Sequence, residues 1–599
     1  MKHYKYIFLL LAKTRRLFKN KMGLQNTVLM LSFFTGVFGA TAAIVVKNLL
    51  HFTVSSLHNA FPGAEQNYLY LAFPLMGILL TIIFVSRVVR DNISHGVSIV
   101  LKSISKSNGK LRGHNIYSSI VASSLTVGFG GSVGLEAPMV LTGSAIGSNL
   151  SQLFNLNAKN RTLLLACGCT AAIAAVFKAP VAAIVFAVEV LMIDFTAASI
   201  VPLLIAAATG TVLSLLFLGK NVMLEITSII PFSTANVPFY ILLGLFTAVI
   251  SIYFLKVSRI VEKKISKIKS KYIKGIIGSI LLGLLIFLFP VFYGEGYESI
   301  PYLVSGQTSL LFKNSPIFHY FNTFNSEFLF ILYLLLIVLF KVFASSLTLG
   351  AGGIGGVFAP SLFIGAFSGF FVVSFSNIVF GTSLPAANFV LAGMAGVMAG
   401  IMHTPVTSIF LIAEMSSGYG LLIPLMITSS VSYLLVKPFE KHSIYSKKLA
   451  EQGELKTHNK DKFAMHKLNW HKLIDSNILT IPEDSTLRVY TELIAKSKRN
   501  LFVVTDDQNH FVGMLCMDDH REIIFKQELY DEVKVHDLMF YPDTVALYND
   551  SGETIIKKFK ESGHFNLPVI DEDQKYIGFL SKAHTLTAYK DFIAEDSED

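Results

Sequence analysis

Acidic residues are scarce over most of this 599-residue chain: only 14 of its 40 Asp and Glu lie in the first 459 residues. Charged residues of both signs make up 15% of the whole, against 52% hydrophobic. That composition excludes an ordinary soluble protein of this length. Cysteine is nearly missing too. Cys167 and Cys169 form a Cys-Gly-Cys pair inside an apolar segment with no further ligands near, so a zinc finger is excluded and small-residue packing is expected. Cys516 stands alone. No nucleophile–base set and no metal cluster can be read, and the few acids between apolar runs are scattered, so the chain is not expected to be an enzyme. The basic N-terminal stretch MKHYKYIFLLLAKTRRLFKNK has a short apolar core and a second basic cluster where a signal peptide has its cleavage site. Residues 1–23 are expected to form an amphipathic segment on the cytoplasmic membrane surface.

What is present is long apolar runs. LYLAFPLMGILLTIIFV (Leu69–Val85) and FLFILYLLLIVLF (Phe328–Phe340) have the character of membrane helices. Such segments fill residues 24–440, but many are Gly-rich, Pro-interrupted or too short to span. A helix that breaks inside a bilayer is tolerated only where the break is buried in protein or lines a watery cavity, so broken helices point to a transport site. The net charge of +10 is unevenly spread: residues 460–599 carry 17 Lys and Arg against 26 Asp and Glu. A basic membrane body with an acidic soluble tail follows. The basic stretch KVSRIVEKKISKIKSKYIK (Lys256–Lys274) and the N-terminus are expected on the cytoplasmic side. The tail joins them there if the crossings are even in number.

Two internal repeats are legible. GLEAP (Gly134–Pro138) precedes AAVFKAPVAAIVFAVE (Ala174–Glu189), and GVFAP (Gly356–Pro360) precedes AGIMHTPVTSIFLIAE (Ala399–Glu414). The spacing between copies is nearly constant, from Gly134 to Gly356 as from Pro180 to Pro405. Inversion of one copy against the other is the expectation for a transporter. In the tail, LFVVTDDQNHFVGML (Leu501–Leu515) aligns with NLPVIDEDQKYIGFL (Asn566–Leu580) at a constant offset. Each reads as strand, acidic turn and strand after an amphipathic helix, predicting two copies of a small α/β unit.

In both Ala-Pro elements glycines precede a proline and an apolar helical run follows. Such helix starts aim free N–H groups and positive dipole ends into the membrane interior, which makes an anion site without lysine or arginine. Amides and hydroxyls hold an anion loosely enough to release it. Glu136 stands at the first of these starts. A carboxylate there is itself an anion and competes for the same amides; protonated, it loses that attraction. Glu189 and Glu414, near the ends of apolar helices, read as structural. His95 and His403 read as packing or capping residues, and Lys178 and Lys341 as snorkelling or structurally paired.

These elements in this order, SHGV from Ser94, GLEAP with Glu136, GGVFAP with Phe358 and SIYSKKLAEQG with Tyr445, resemble the CLC family of chloride channels and chloride/proton antiporters followed by a pair of CBS domains. The resemblance covers nearly the whole length. It implies an all-α polytopic membrane protein of broken, tilted helices in an inverted repeat, with a C-terminal α/β CBS pair. The implied division is a membrane domain at 24–440, a linker at 441–469, CBS repeats at 470–523 and 534–590, and a homodimer in a bacterial inner membrane with no nucleic-acid partner. A central chloride would meet the hydroxyls of Ser94 and Tyr445 and the amides of Val357 and Phe358, with Glu136 as the gating glutamate.

The chain departs from the family's G-R-E-G-P at Leu135 and Ala137, and from G-S-G-I-P in ISHGV (Ile93–Val97). Antiporters in the family often carry a second, internal proton-transfer glutamate. Here Val190 follows Glu189 and cannot carry a proton. That favours uncoupled chloride conduction, with chloride/proton exchange as the alternative. A CBS-regulated cation transporter is a weaker rival, since the body is basic and short of carboxylates. CBS pairs bind adenine nucleotides through a pattern ending in a hydroxyl and an Asp. GMLCMDD keeps Asp519 but has Cys516 at the hydroxyl position, and GFLSKAH keeps Ser581 but has His584 at the Asp position. Nucleotide binding and a purely coupling or dimerising role both stay open.

Overall fold

The computed structural model describes residues 2–60, 69–219, 224, 230–312, 315–318, 327–416, 418–452, 454, 470–477 and 479–598. The chain divides into two compact units, residues 1–455 and 456–599. The surface-lying side chains expected of residues 1–22, and the linker residues 455–469, fall outside what is described.

The first unit is helical. In chain order its helices are α1 (Lys2–Ala60), α2 (Leu69–Phe84), α3 (Gly96–Lys106), α4 (Asn115–Gly128), α5 (Glu136–Leu153), α6 (Ala158–Phe177), α7 (Pro180–Glu189), α8 (Ala197–Phe217), α9 (Val237–Ser266), α10 (Lys271–Leu288), α11 (Ser299–Val304), α12 (Thr308–Phe312), α13 (Glu327–Ala351), α14 (Phe358–Phe380), α15 (Ala386–Met402), α16 (Pro405–Met415), α17 (Leu422–Val436) and α18 (Lys447–Glu451). α1 is broken at Gly23, whose φ of 72° is not helical. Among the described residues nine helical segments are long and apolar enough to cross a membrane, while α7, α15 and α16 are apolar but shorter.

The short helices have local causes. α6 and α15 end on Lys178 and His403, both in the left-handed region at φ 55° and 59°. Two positions later Pro180 and Pro405 open α7 and α16, where a missing N–H costs nothing. The two breaks occupy equivalent places in the two copies, so Lys178 and His403 do the same terminating job.

The repeat is also a packing repeat. α5 lies on α6 backbone to backbone: a Cβ on Gly143 would sit 2.2 Å from Gly168 O, and one on Gly147 1.9 Å from Leu164 O. α14 lies on α15 in the same way, with 2.5 Å from Gly365 to Gly393 O and 2.1 Å from Gly369 to Phe389 O. Only glycine permits this approach, and small-residue contact is how helices associate where lipid offers no hydrophobic drive.

The copies bind each other by exchanged contacts. Gly134 N donates to Gly356 O (2.9 Å) and Gly356 N to Gly134 O (2.8 Å), as an antiparallel bridge. Ser132 N donates to Thr348 Oγ1 (3.1 Å) and Ile354 N to Thr126 Oγ1 (3.0 Å). Glu189, ending α7, accepts the amides of Val406 (3.1 Å) and Thr407 (2.8 Å) at the start of α16. Glu414, on the last turn of α16, accepts those of Val181 (3.1 Å) and Ala182 (2.9 Å) at the start of α7. Each bond has a mate with the roles reversed, and the copies run in opposite directions where they meet. This is an inverted repeat.

The second unit holds two three-stranded sheets, β1–β2–β3 (Thr480–Pro482, Leu501–Thr505, Phe511–Cys516) and β4–β5–β6 (Ala546–Leu547, Asn566–Ile570, Tyr576–Ser581). In each, the first pair is parallel and the second antiparallel. Helices α19 (Leu487–Lys496) and α20 (Gly552–Ser562) precede the hairpins. The sheets exchange bonds too: Phe511 N donates to Gln574 O (2.9 Å), and Tyr576 N to Asn509 O (3.1 Å).

Candidate functional site

Three helix starts converge in the first unit. The Gly134–Gly356 bridge ties the loop before α5 to the loop before α14. α3 closes in from a third direction, since a Cβ on Gly96 would lie 2.4 Å from Ala137 O. Each start carries N–H groups without a helical partner, and the sum of their partial charges favours an anion.

Glu136 is the first residue of α5 and is 3% exposed. Its carboxylate folds back over Gly134 and turns toward the backbone of Ala359 in the first turn of α14. A Cβ on Gly134 would lie 1.9 Å from Oε2 and 2.8 Å from the Ala359 side chain. The other oxygen, Oε1, accepts the hydroxyl of Tyr297 at 2.5 Å. The carboxyl group therefore stands between the two helix starts, in the place the amides prepare for an anion.

The remaining residues singled out by sequence lie around it or apart from it. Val357 caps α14 and Phe358 begins it, both buried, and the Phe358 ring stacks on Phe177 at 5.2 Å. Tyr445 is buried, within electrostatic reach of Glu136 and Tyr297; its hydroxyl points at Met402 Sδ (3.8 Å) and its carbonyl accepts Ser98 Oγ (2.9 Å). Ser94 lies just before α3, and its hydroxyl donates to Asn92 Oδ1 at 2.6 Å in a local turn. His95, with φ 58°, is the residue preceding α3. Val190 is buried in the apolar core at the end of α7. In the second unit Asp519 sits exposed on the turn after β3, in the first sheet's repeat. Ser581 ends β6 in the second sheet, paired with Asn566 of β5.

Sequence reasoning missed Tyr297, Glu295 and Lys47. Tyr297 and Glu295 lie in GEGYE (Gly294–Glu298), a carboxylate between glycines after Pro290, and Gly294 and Gly296 both take positive φ (63° and 88°). The pattern is the same kind that singles out GLEAP, so the signal existed. Lys47, in mid-α1, donates to Val176 O (2.8 Å).

The family model described as "Voltage gated chloride channel" matches residues 76–437, and that of the CBS domain matches residues 535–591. The structural repeat in the second unit extends the CBS resemblance to the first copy. Curated relatives include the "Putative chloride channel protein ClcB-like" of Ralstonia nicotianae, 26% identical over 365 residues that span 60% of this chain and 80% of the relative. The "Chloride channel protein CLC-f" of Arabidopsis thaliana is 24% identical, covering 72% of this chain and 61% of the relative. The "H(+)/Cl(-) exchange transporter ClcA" of Vibrio campbellii is 28% identical, covering 54% and 66%. Among solved structures, a slow cyanobacterial Cl-/H+ antiporter superposes with a TM-score of 0.59 at 21% identity, over 71% of this chain and 96% of that one. A CLC-type fluoride/proton antiporter gives 0.57 at 24%, over 73% and 99%.

Proposed function

We propose that this chain, which belongs to the voltage gated chloride channel family, moves chloride through a pathway that Glu136 closes and opens. The observation that carries this reading is the Glu136 carboxylate lying between two helix starts, turned to the Ala359 backbone. An ionised carboxylate there occupies the space of a permeating anion. Protonation removes its charge, weakens its hold on the amides and lets chloride take its place. The hydroxyls of Ser94 and Tyr445 and the amides of Val357 and Phe358 are the groups proposed to bind chloride further along the path. In this closed arrangement the Ser94 hydroxyl is engaged by Asn92, so chloride binding would require it to turn.

We read the transport as uncoupled. Val190 stands at the position where an internal proton-carrying glutamate would be needed, and its surroundings are apolar. Exchange for protons is the second reading; it is favoured by relatives whose names state H(+)/Cl(-) exchange. Purified protein in chloride-loaded vesicles under a pH gradient decides between them. A reversal potential at the chloride equilibrium value is expected. Uphill proton movement driven by a chloride gradient would replace the channel reading with the exchange one. We further propose a homodimer with the N-terminus and the CBS repeats on the cytoplasmic side.

A further inference from the structure

The GEGYE loop holds a second carboxylate against the same helix start. Glu295 Oε1 accepts the amide of Leu135 at 3.0 Å. That amide belongs to the residue preceding Glu136 and is one of the free donors that make the start of α5 attractive to anions. Glu295, Glu136, Tyr297, Lys47 and Leu135 line one cavity of about 10 Å³, room for roughly a single water.

Ionisable groups from several elements lie at or near this cavity, whose remaining lining is apolar. Glu136 comes from α5, Lys47 from α1 with Lys178 near it, and Tyr297 and Glu298 from the loop itself. Tyr445 is within reach of Glu136. Lys341, from α13, is fully buried, and its Nζ makes no hydrogen bond among the described residues. The ammonium stands 4.5 Å from the Phe363 ring centre and 5.7 Å from that of Phe292, and a Cβ on Gly296 would be 3.5 Å from it. Glu295 lies within electrostatic reach of it. Two carboxylates against one water-sized cavity, with little water between them, cannot ionise independently, and nearby buried cations set how many protons the pair keeps.

We infer that Glu295 is a second acidic element of the gate: it holds the Leu135 amide against incoming anions, and it takes up and releases protons as a pair with Glu136. The inference rests on reading Glu136 as the gate. It gives the chain a second acid beside Glu136, although Val190, which follows Glu189 at the end of α7, cannot carry a proton.

The test is chloride efflux from vesicles carrying the full chain, measured from about pH 4.5 to pH 8. Wild type should open as pH falls, and E136Q should be flat. E295Q should stay pH-dependent with its midpoint about one unit lower, because loss of the neighbouring charge makes Glu136 harder to protonate; that is a tenfold change in the proton concentration needed. K341M, which removes a cation facing the pair, should move the midpoint the other way. It also keeps the question answerable if E295Q does not fold. Midpoints of E295Q and K341M that coincide with wild type, while E136Q is flat, would overturn the role of Glu295 and leave the gate standing. A wild-type pH response in E136Q would overturn the gate, and the pair with it.

Discussion

The two copies of the membrane repeat differ most instructively at one position. Glu136 opens α5, and Phe358, its counterpart in the second copy, opens α14. The contacts that tie the two copies together are exchanged: the glycine bridge, the Thr126 and Thr348 hydroxyls, and the reciprocal caps of Glu189 and Glu414. The comparison separates two kinds of intramembrane carboxylate. Glu189 and Glu414 have both oxygens satisfied by amides of the opposite copy, and each has a mate. Glu136 has no mate, shares its surroundings with Glu295, and is met by Phe358 across the bridge. Symmetry supplies a scaffold, and the break in symmetry supplies the site.

The contrast can be broken by substitution. The largest effect should come from removing the glycines that let both copies pack. Gly147→Ala and Gly369→Ala put a Cβ 1.9 Å and 2.1 Å from a carbonyl oxygen of the neighbouring helix, and backbone yields poorly. Each should cost about 3 kcal/mol or more, read as loss of monodisperse protein on size exclusion. Equal damage is expected, and tolerance in only one copy would break the equivalence. Next, Glu136→Phe makes the two helix starts alike. Chloride efflux at neutral pH should rise about tenfold, corresponding to ~1.4 kcal/mol of lost closure, and its pH response should vanish; retained pH dependence would remove Glu136 from the gate.

A smaller effect is expected at the caps. Glu189→Gln and Glu414→Gln each weaken charge-assisted bonds to two amides, at a cost of roughly 1–3 kcal/mol. Both should lower the thermal midpoint in detergent by similar amounts and leave the pH curve of efflux where it was. A shift of that curve by either variant would make that carboxylate part of the gate.

The tail repeats the contrast on a milder scale. Asp475 bridges to Phe579 by backbone, and Phe540, which holds the place of Asp475 in the other repeat, bridges to Met514 in the same way. Again an acid in one copy answers a phenylalanine in the other. The hydrogen bond from Arg499 (2.5 Å), followed by that from the Asn477 amide, holds the Asp475 carboxyl below its ordinary value. A depressed folded-state pKa contributes stability that is present above the unfolded value, near ~3.9, and is lost as pH falls through the folded one. The pair is largely exposed, so the contribution is about 0.2–1 kcal/mol. Trp470, the chain's single tryptophan, is buried a few residues away in the core of the second repeat and reports on it in the full protein. Asp475→Asn should flatten the loss of stability below about pH 4 seen by Trp470 fluorescence. An unchanged acid limb would assign that loss to other carboxylates.

Much of the fold is legible in the residues. Long apolar runs give the spans, and Ala-Pro and Thr-Pro after a left-handed stop give the breaks. Constant offsets between matching motifs give both repeats. Glu136 is legible because a lone acid between glycines and a proline has no local partner to justify its burial. Glu295 carries a similar local signal in GEGYE, but its meaning depends on the Leu135 amide, far away in the chain. The exchanged caps of Glu189 and Glu414 likewise depend on partners in the opposite copy. No window of sequence contains such pairs.

The sequence by itself determined which segments enter the membrane, where helices must stop and which acid cannot be ornamental, because hydropathy, proline and glycine act within a few residues. Tertiary structure alone decided that Glu189 and Glu414 are capped by the opposite copy while Glu136 and Glu295 share a cavity with Tyr297 and Lys47. The reason is physical: a buried charge is defined by the amides and ions that surround it, and those arrive from distant parts of the chain only when the two inverted copies close on each other.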